Sequence, residues 1–324
     1  MALVPGNEQF VSTIEKSLFT ICLEDESPAT PNERATAFLL DDNRNRWLDK
    51  TLSFIVEANG ESAMFCEHSM VDGTTFIGII TALTNATVDH VEIPDSVSSA
   101  SIVPGIDYTY LPFSLPDALN PRITELRETY LDAVTGYTLQ NYTFDTYGAS
   151  YIRGQKLPPK SVFQVIVQLA IRLHFGYNPH TIDVVNQRHF QGGRLDSLNA
   201  ATTEMVAFCS AAQGLSTGGK EHKKLFLEAV KSHARLVALL TRGKGWSRHL
   251  MALKEVLEPG EEAPTLLADP KYLRTKESRL VYTNFLDAGL SEMGNCWADR
   301  EAIWSCVRVS DERYVFFSVC PYNP

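Results

Sequence analysis

Residues 45–74 read NRWLDKTLSFIVEANGESAMFCEHSMVDGT, and the reading of the fold turns on them. Two short, largely apolar runs, LSFIVEA (52–58) and SAMFCEH (62–68), flank the dipeptide Asn59-Gly60. Asn-Gly tolerates the positive φ that tight hairpin turns demand, so the stretch predicts two antiparallel strands. His68 then stands just past the second strand, with Asp72 four residues on and Gly73 after it. A histidine works as a general base when a neighbouring carboxylate fixes its ring, and glycine permits a tight loop between the two. By spacing alone, a catalytic base and an incidental histidine beside a turn both remain open.

Working outward, residues 8–24 carry apolar side chains first at helical and then at strand spacing. SPATPNERA (27–35) reads as a loop by its prolines. TTFIGIITALTNATVDHV (74–91) is apolar on a helical period. Residues 91–121, rich in Pro, Ser and Asp, look like a crossing between domains. After Pro121 a helix is expected, with Ile123, Leu126, Tyr130, Leu131, Val134 and Tyr137 on one face. SVFQVIVQLAIRLHFG (161–176) is apolar almost all round and bounded by Pro158-Pro159 and Gly176, which predicts a buried helix. Residues 221–243 form an amphipathic helix with basic residues toward its end. RLVYTNFL, AIWSCVRV and RYVFFSV read as strands. The fold class is α/β (α+β), a mixed sheet covered by helices.

The 324 residues are 44% hydrophobic and 21% charged, the composition of a globular chain. The net charge of -10 disfavours a nucleic-acid partner, because like charges repel the phosphate backbone. No apolar run approaches the roughly 20 residues of a membrane helix, so no membrane partner is expected. Six cysteines lack CxxC spacing. No metal is expected, and a reduced, cytoplasmic setting is.

The 45–74 stretch resembles the choline/carnitine acyltransferase family across its whole length. The family's Asn-Arg-Trp-Phe-Asp-Lys-Thr-Leu run is similar to Asn45 through Leu52, and its Glu-His-x-x-x-Asp/Glu-Gly to Glu67 through Gly73. Further ordered similarities are TYGASYIRGQKLPPKSVFQVIVQLAIRLHFG, NQRHFQGGRLDSLNAAT, GWSRHLMALK, DPKYLRTKESRLVYTN and MGNCW. The resemblance implies chloramphenicol acetyltransferase-like domains. It also implies that His68 is the base that deprotonates an alcohol for attack on a thioester, supported by Asp72. Thr283, in the place of the family's oxyanion-binding serine, implies a donor to the tetrahedral intermediate, with an ordinary strand threonine as the competing reading. Residues 1–110 resemble the C-terminal part of the histidine-bearing domain, and residues 111–324 the second domain. The N-terminal half of the family fold is expected to be absent from this chain.

The departures bear on the substrates. The family's carnitine-binding Tyr and Thr correspond to Ile182 and Leu195, and only its Arg persists, as Arg248. A carboxylate there loses two charge-assisted hydrogen bonds, each worth about 1.5–3 kcal/mol. Carnitine is therefore disfavoured, and a neutral alcohol or polyol is expected; Arg248 retained for structure is the bland alternative. In the coenzyme A segment the basic positions are Arg153, Lys156 and Lys160, with an altered layout. They imply coenzyme A or carrier-protein phosphopantetheine as acyl donor, with no tightly bound cofactor; a solvated basic face competes.

The expected function is transfer of an acyl chain, taken as a polyketide, from a pantetheine thioester to an alcohol, with a histidine as general base. The comparison is with the terminal acyltransferase domain of fungal highly reducing polyketide synthases, enzymes of secondary metabolism, with an acyl carrier protein as partner. Three alternatives stand beside it. One is a stand-alone carnitine or short-chain acetyltransferase using coenzyme A. The others are a condensation-type domain and a catalytically decayed interaction module.

Overall fold

The computed structural model describes residues 4–90, 109–213, 219–275, 280–286, 303–309 and 314–321. Most of the 91–121 crossing, and MGNCW, fall outside these residues. The chain divides into two compact units, with the main break between Thr135 and Gly136. That break lies further along than the 110/111 boundary expected from the proline-rich stretch. The helix after that stretch belongs with the first unit: Arg127 Nη2 donates to Asp42 Oδ2 at 2.8 Å, and Asn43 Nδ2 donates to the Tyr130 hydroxyl.

The first unit carries helices α1 (Asn7–Lys16), α2 (Pro31–Leu39), α3 (Gly73–His90) and α4 (Asn120–Thr135) and strands β1 (Thr20–Leu23), β2 (Leu52–Val56) and β3 (Ser62–Cys66). Its sheet runs β1-β2-β3, with β1 parallel and β3 antiparallel to β2. The hairpin forms across Asn59-Gly60 as expected. Gly60 sits at φ +84° and Asn59 Oδ1 accepts from Glu61 N at 3.1 Å.

The Asn-Arg-Trp block is the anchor of this sheet. Asn45 Nδ2 donates to Leu23 O at 2.8 Å, tying the block to the end of β1. Arg46, nearly buried, pairs with Glu24. Lys50 is buried at 6% exposure, and its ammonium donates to Glu15 O at 2.9 Å and Ser17 O at 3.0 Å. A cation on the last carbonyls of a helix suits the dipole, so Lys50 caps α1.

Glu57, just past β2, is also buried. Burial raises its carboxyl above the usual range; nearby Arg46 pulls it back, and Glu26 and Asp41 push it up. The folded chain thus holds this proton more tightly than the unfolded chain does. Stability falls as pH rises from the ordinary Glu range through the raised value, and stays lower above it. Glu57→Gln is expected to raise the melting temperature at pH 7.5 and to lose that advantage near pH 4. Thermal melts at the two pH values check this; a larger gain at pH 4 contradicts it.

Two expectations for this unit fail. The 27–35 stretch is not all loop, because α2 starts at Pro31. Thr30 Oγ1 accepts from Glu33 N at 3.2 Å, and Glu33 Oε2 accepts from Thr30 N at 2.9 Å, a reciprocal cap; Pro31 stands where a helix needs no amide donor. The helix expected after Pro121 forms, but Tyr137 is not on it and opens the following strand; along the face, Ile123 and Leu126 are exposed while Tyr130, Leu131 and Val134 are half-buried.

The second unit holds β4 (Tyr137–Phe144), α5 (Ala149–Gly154), α6 (Pro159–Phe175), β5 (Thr181–Asn186), β6 (Leu195–Asn199), α7 (Thr203–Ala212), α8 (Lys220–Thr241), α9 (Trp246–Glu255), α10 (Thr265–Ala268) and α11 (Pro270–Arg274), then β7 (Leu280–Leu286), β8 (Ile303–Val309) and β9 (Tyr314–Pro321). Its mixed sheet runs β4-β9-β8-β7-β5-β6. The long helices and the last three strands lie where the sequence pattern put them. α6 ends at Gly176, φ +78°, whose amide donates to Arg172 O at 2.8 Å. Ala149, Ile152, Val162, Phe163, Val165, Met205, Cys209, Ala229 and Val230 make a core joining α5, α6, α7 and α8.

Candidate active site

His68 stands two residues past the end of β3, and Asp72 precedes the first residue of α3. The Asp72 carbonyl accepts from Thr75 N at 2.9 Å and Phe76 N at 3.2 Å, so the helix start fixes its backbone. His68 Nδ1 stands 3.7 Å from Asp72 Oδ1, and the side chains are 31% and 13% exposed. That separation is an ion-pair contact, longer than a hydrogen bond. Glu67 shapes the loop between them: its carboxylate accepts from Ser69 Oγ at 2.5 Å and Ser69 N at 2.9 Å. The Ser69 hydroxyl, then its amide, hold the Glu67 carboxyl below its usual range. The sequence singled out His68 and Asp72, and the structure brings them together. Ser69 was not read, because a glutamate is not among the side chains that ordinarily close such a turn.

The other candidates lie in the second unit. Ile182 on β5 pairs with Asn199, and Leu195 on β6 pairs with Asn186. Paired residues of an antiparallel ladder share a face, so Ile182 and Leu195 lie on one face of the hairpin, four residues apart along it, about 13 Å. The opposite face carries Val185 and Leu198, packed with Leu240 of α8. Arg248 on α9 is exposed, and its Nε donates to Leu195 O at 3.2 Å. Thr283 lies in β7, in register with Cys306 of β8.

Of the three basic candidates, Arg153 and Lys156 are exposed at the end of α5 and just beyond it. Lys160 points inward. Its Nζ sits 3.2 Å from Asp183 Oδ1 and donates to Val184 O at 2.8 Å. Asp183 is fully buried and is met on its other oxygen by His233 Nε2 at 3.0 Å; His233 Nδ1 lies 3.0 Å from Ser161 Oγ. With His233 Nε2 donating to Asp183, its Nδ1 accepts from the Ser161 hydroxyl, and the Lys160 ammonium stands against the other Asp183 oxygen. This network joins α6, β5 and α8. Sequence reasoning missed it, although an Asp amid TIDVVN and a His on the apolar side of α8 are its traces.

A sequence profile of the Choline/Carnitine o-acyltransferase family matches residues 1–319. The chain belongs to this family. Among curated acyltransferase relatives, rat Carnitine O-acetyltransferase is 26% identical over 277 residues, covering 82% of this chain and 44% of that enzyme. The Highly reducing polyketide synthase ltbA of Aspergillus luteorubrus is 29% identical over 344 residues, covering 100% of this chain and 10% of the synthase. The chain thus spans less than half the length of each. The first condensation domain of the CDA synthetase aligns over 93% of this chain and 68% of that one, at 10% identity and a TM-score of 0.44, which is too loose to bear on the site. Among the described residues no helix is long and apolar enough to cross a membrane.

Proposed function

We propose that this acyltransferase-family chain moves an acyl group from a pantetheine thioester to an alcohol other than carnitine, with His68 as general base. The observation that carries the reading is the retained His68–Asp72 pair, held in a loop between a strand end and a helix start. With Nδ1 turned toward Asp72, Nε2 takes the alcohol proton as the oxygen attacks the thioester carbonyl. The tetrahedral intermediate collapses by breaking the C–S bond, and the imidazolium returns the proton to the departing thiolate. Products are an ester and a free thiol, with the histidine restored. Thr283, at the family's oxyanion-binding position, is the proposed donor to the intermediate, a role typically worth ~2.7–4 kcal/mol of barrier.

The acceptor reading rests on Ile182 and Leu195, which bring no side-chain donor where the family holds carnitine's carboxylate. Arg248 alone would have to bind that carboxylate, and its Nε is already given to Leu195 O. The proposed donor is an acyl chain, in a polyketide setting, on carrier-protein phosphopantetheine. Arg153 and Lys156 remain exposed cations for its phosphate, and Lys160 serves the Asp183 network.

The test compares carnitine with a panel of neutral polyols as acceptors. The wild type is expected to acylate a polyol and to turn over carnitine poorly. Ile182→Tyr with Leu195→Thr is expected to raise kcat/KM for carnitine at least tenfold, most of it through KM. Ordinary carnitine turnover by the wild type would sink the acceptor reading.

A further inference from the structure

The charge of this chain is divided between its units. Residues 1–135 hold 7 basic and 21 acidic side chains, a net -14. The rest holds 22 basic and 18 acidic, a net +4. Within it, residues 219–248 hold 8 basic side chains against Glu221 and Glu228, a net +6. This short segment therefore accounts for all the positive excess of its unit.

The structure shows how the charge is displayed. At 3.6 residues per turn, Lys220, Lys224, Lys231 and Arg235 fall within an arc of about 60° on α8. All four are exposed, and Arg242 and Lys244, exposed too, continue past the helix end. The opposite side of α8 is the one packed inward, through Ala229, Val230, His233 and Leu240. From Lys220 to Arg235 the stripe runs about 22 Å along the helix at 1.5 Å per residue. Lys224 pairs with Glu221 at 3.7 Å between two exposed side chains, which water largely screens, and the Ser232 hydroxyl, helped by Arg235 nearby, holds the Glu204 carboxyl down. Helix propensity does not require this clustering, and the first unit's helices have nothing like it.

We infer that the exposed basic face of α8 is the docking surface for an acidic carrier domain that bears the acyl-pantetheine donor. The inference rests on the reading of the donor proposed above and adds where the donor's protein is held. A straight row of cations on a rigid helix fits a helical partner with a facing row of carboxylates, giving steering and register. Glu228 lies beside the row and the whole chain is at -10. The net charge weighs on every polyanion, but a membrane or a long phosphate backbone meets the whole surface while a small carrier meets the row alone, where Glu228 suits a partner of mixed charge.

The experiment uses the full chain with one acyl group presented two ways: on a phosphopantetheinylated acidic carrier domain and on coenzyme A. The variant is Lys224→Glu/Lys231→Glu/Arg235→Glu. The expected result is a fall of tenfold or more in kcat/KM for the carrier thioester, mostly in KM, with the coenzyme A thioester unaffected. Lys replacements of carboxylates on the carrier should restore part of the loss. An equal loss with both donors, or no loss with either, overturns the inference. So does tighter binding of duplex DNA or phosphatidylserine vesicles than of the carrier. If the wild type transfers from neither donor, the functional reading fails. The docking claim is then decided by titrating the holo-carrier calorimetrically against wild type and variant, where equal affinity overturns it.

Discussion

His68→Ala is expected to lower kcat for acyl transfer by about 10²–10⁴-fold, the range a positioned general base supplies. The side chain is 31% exposed in a loop, so its removal leaves the core intact and the melting temperature nearly unchanged. The loss should therefore appear in rate and not in folded fraction. Asp72→Asn should cost less than His68→Ala, because the 3.7 Å contact is an electrostatic one that a carboxamide weakens without displacing the ring. The ordering of the two variants separates a catalytic histidine from a structural one. If both leave transfer unchanged, His68 is not the base.

Asp183→Ala carries the largest expected effect on stability. Asp183 is fully buried, with Lys160 on one carboxylate oxygen and His233 on the other. Removing it leaves buried His233 without its acceptor and Lys160, 30% exposed, without its counter-ion; the unsatisfied buried donor alone costs about 1–3 kcal/mol. The same reasoning predicts that Lys160→Met, Asp183→Leu and His233→Leu together recover most of the loss, because the donors that Asp183 satisfied are removed with it. Urea unfolding followed by a probe in the second unit measures both. A triple variant as unstable as Asp183→Ala would show that the network's charges themselves hold α6, β5 and α8 together. A mild Asp183→Ala would contradict the buried pairing.

These two sites differ in how legible they were. The hairpin and the His68 loop are local: the Asn-Gly turn, the strand runs and the His-to-Asp spacing all lie within thirty residues of sequence. The ends of α6 were legible for the same reason, as proline and glycine punctuate it. The start of α2 was hidden because a proline reads as a breaker, yet Thr30 and Glu33 make it a helix entrance. The Asp183 network was not legible, since His233 meets Asp183 across 50 residues and Ser161 across 72. Locally, His233 shows only as a histidine on the apolar side of α8, with nothing nearby in sequence to name its partners. Lys160 shows the reverse error. Its sequence neighbours Arg153 and Lys156 suggested one outward basic patch, and only tertiary structure supplies the buried carboxylate that draws it inward.

The central claim is that this chain uses His68 to pass an acyl group from a pantetheine thioester to an alcohol other than carnitine. The most direct measurement is the release of thiol from an acyl-pantetheine donor, with the matching ester counted by mass spectrometry, in wild type and His68→Ala. The account predicts thiol and ester in equal amounts, formed with a neutral polyol, scarcely formed with carnitine, and abolished in the variant. Thiol release without ester, or equal ester from wild type and variant, would contradict it.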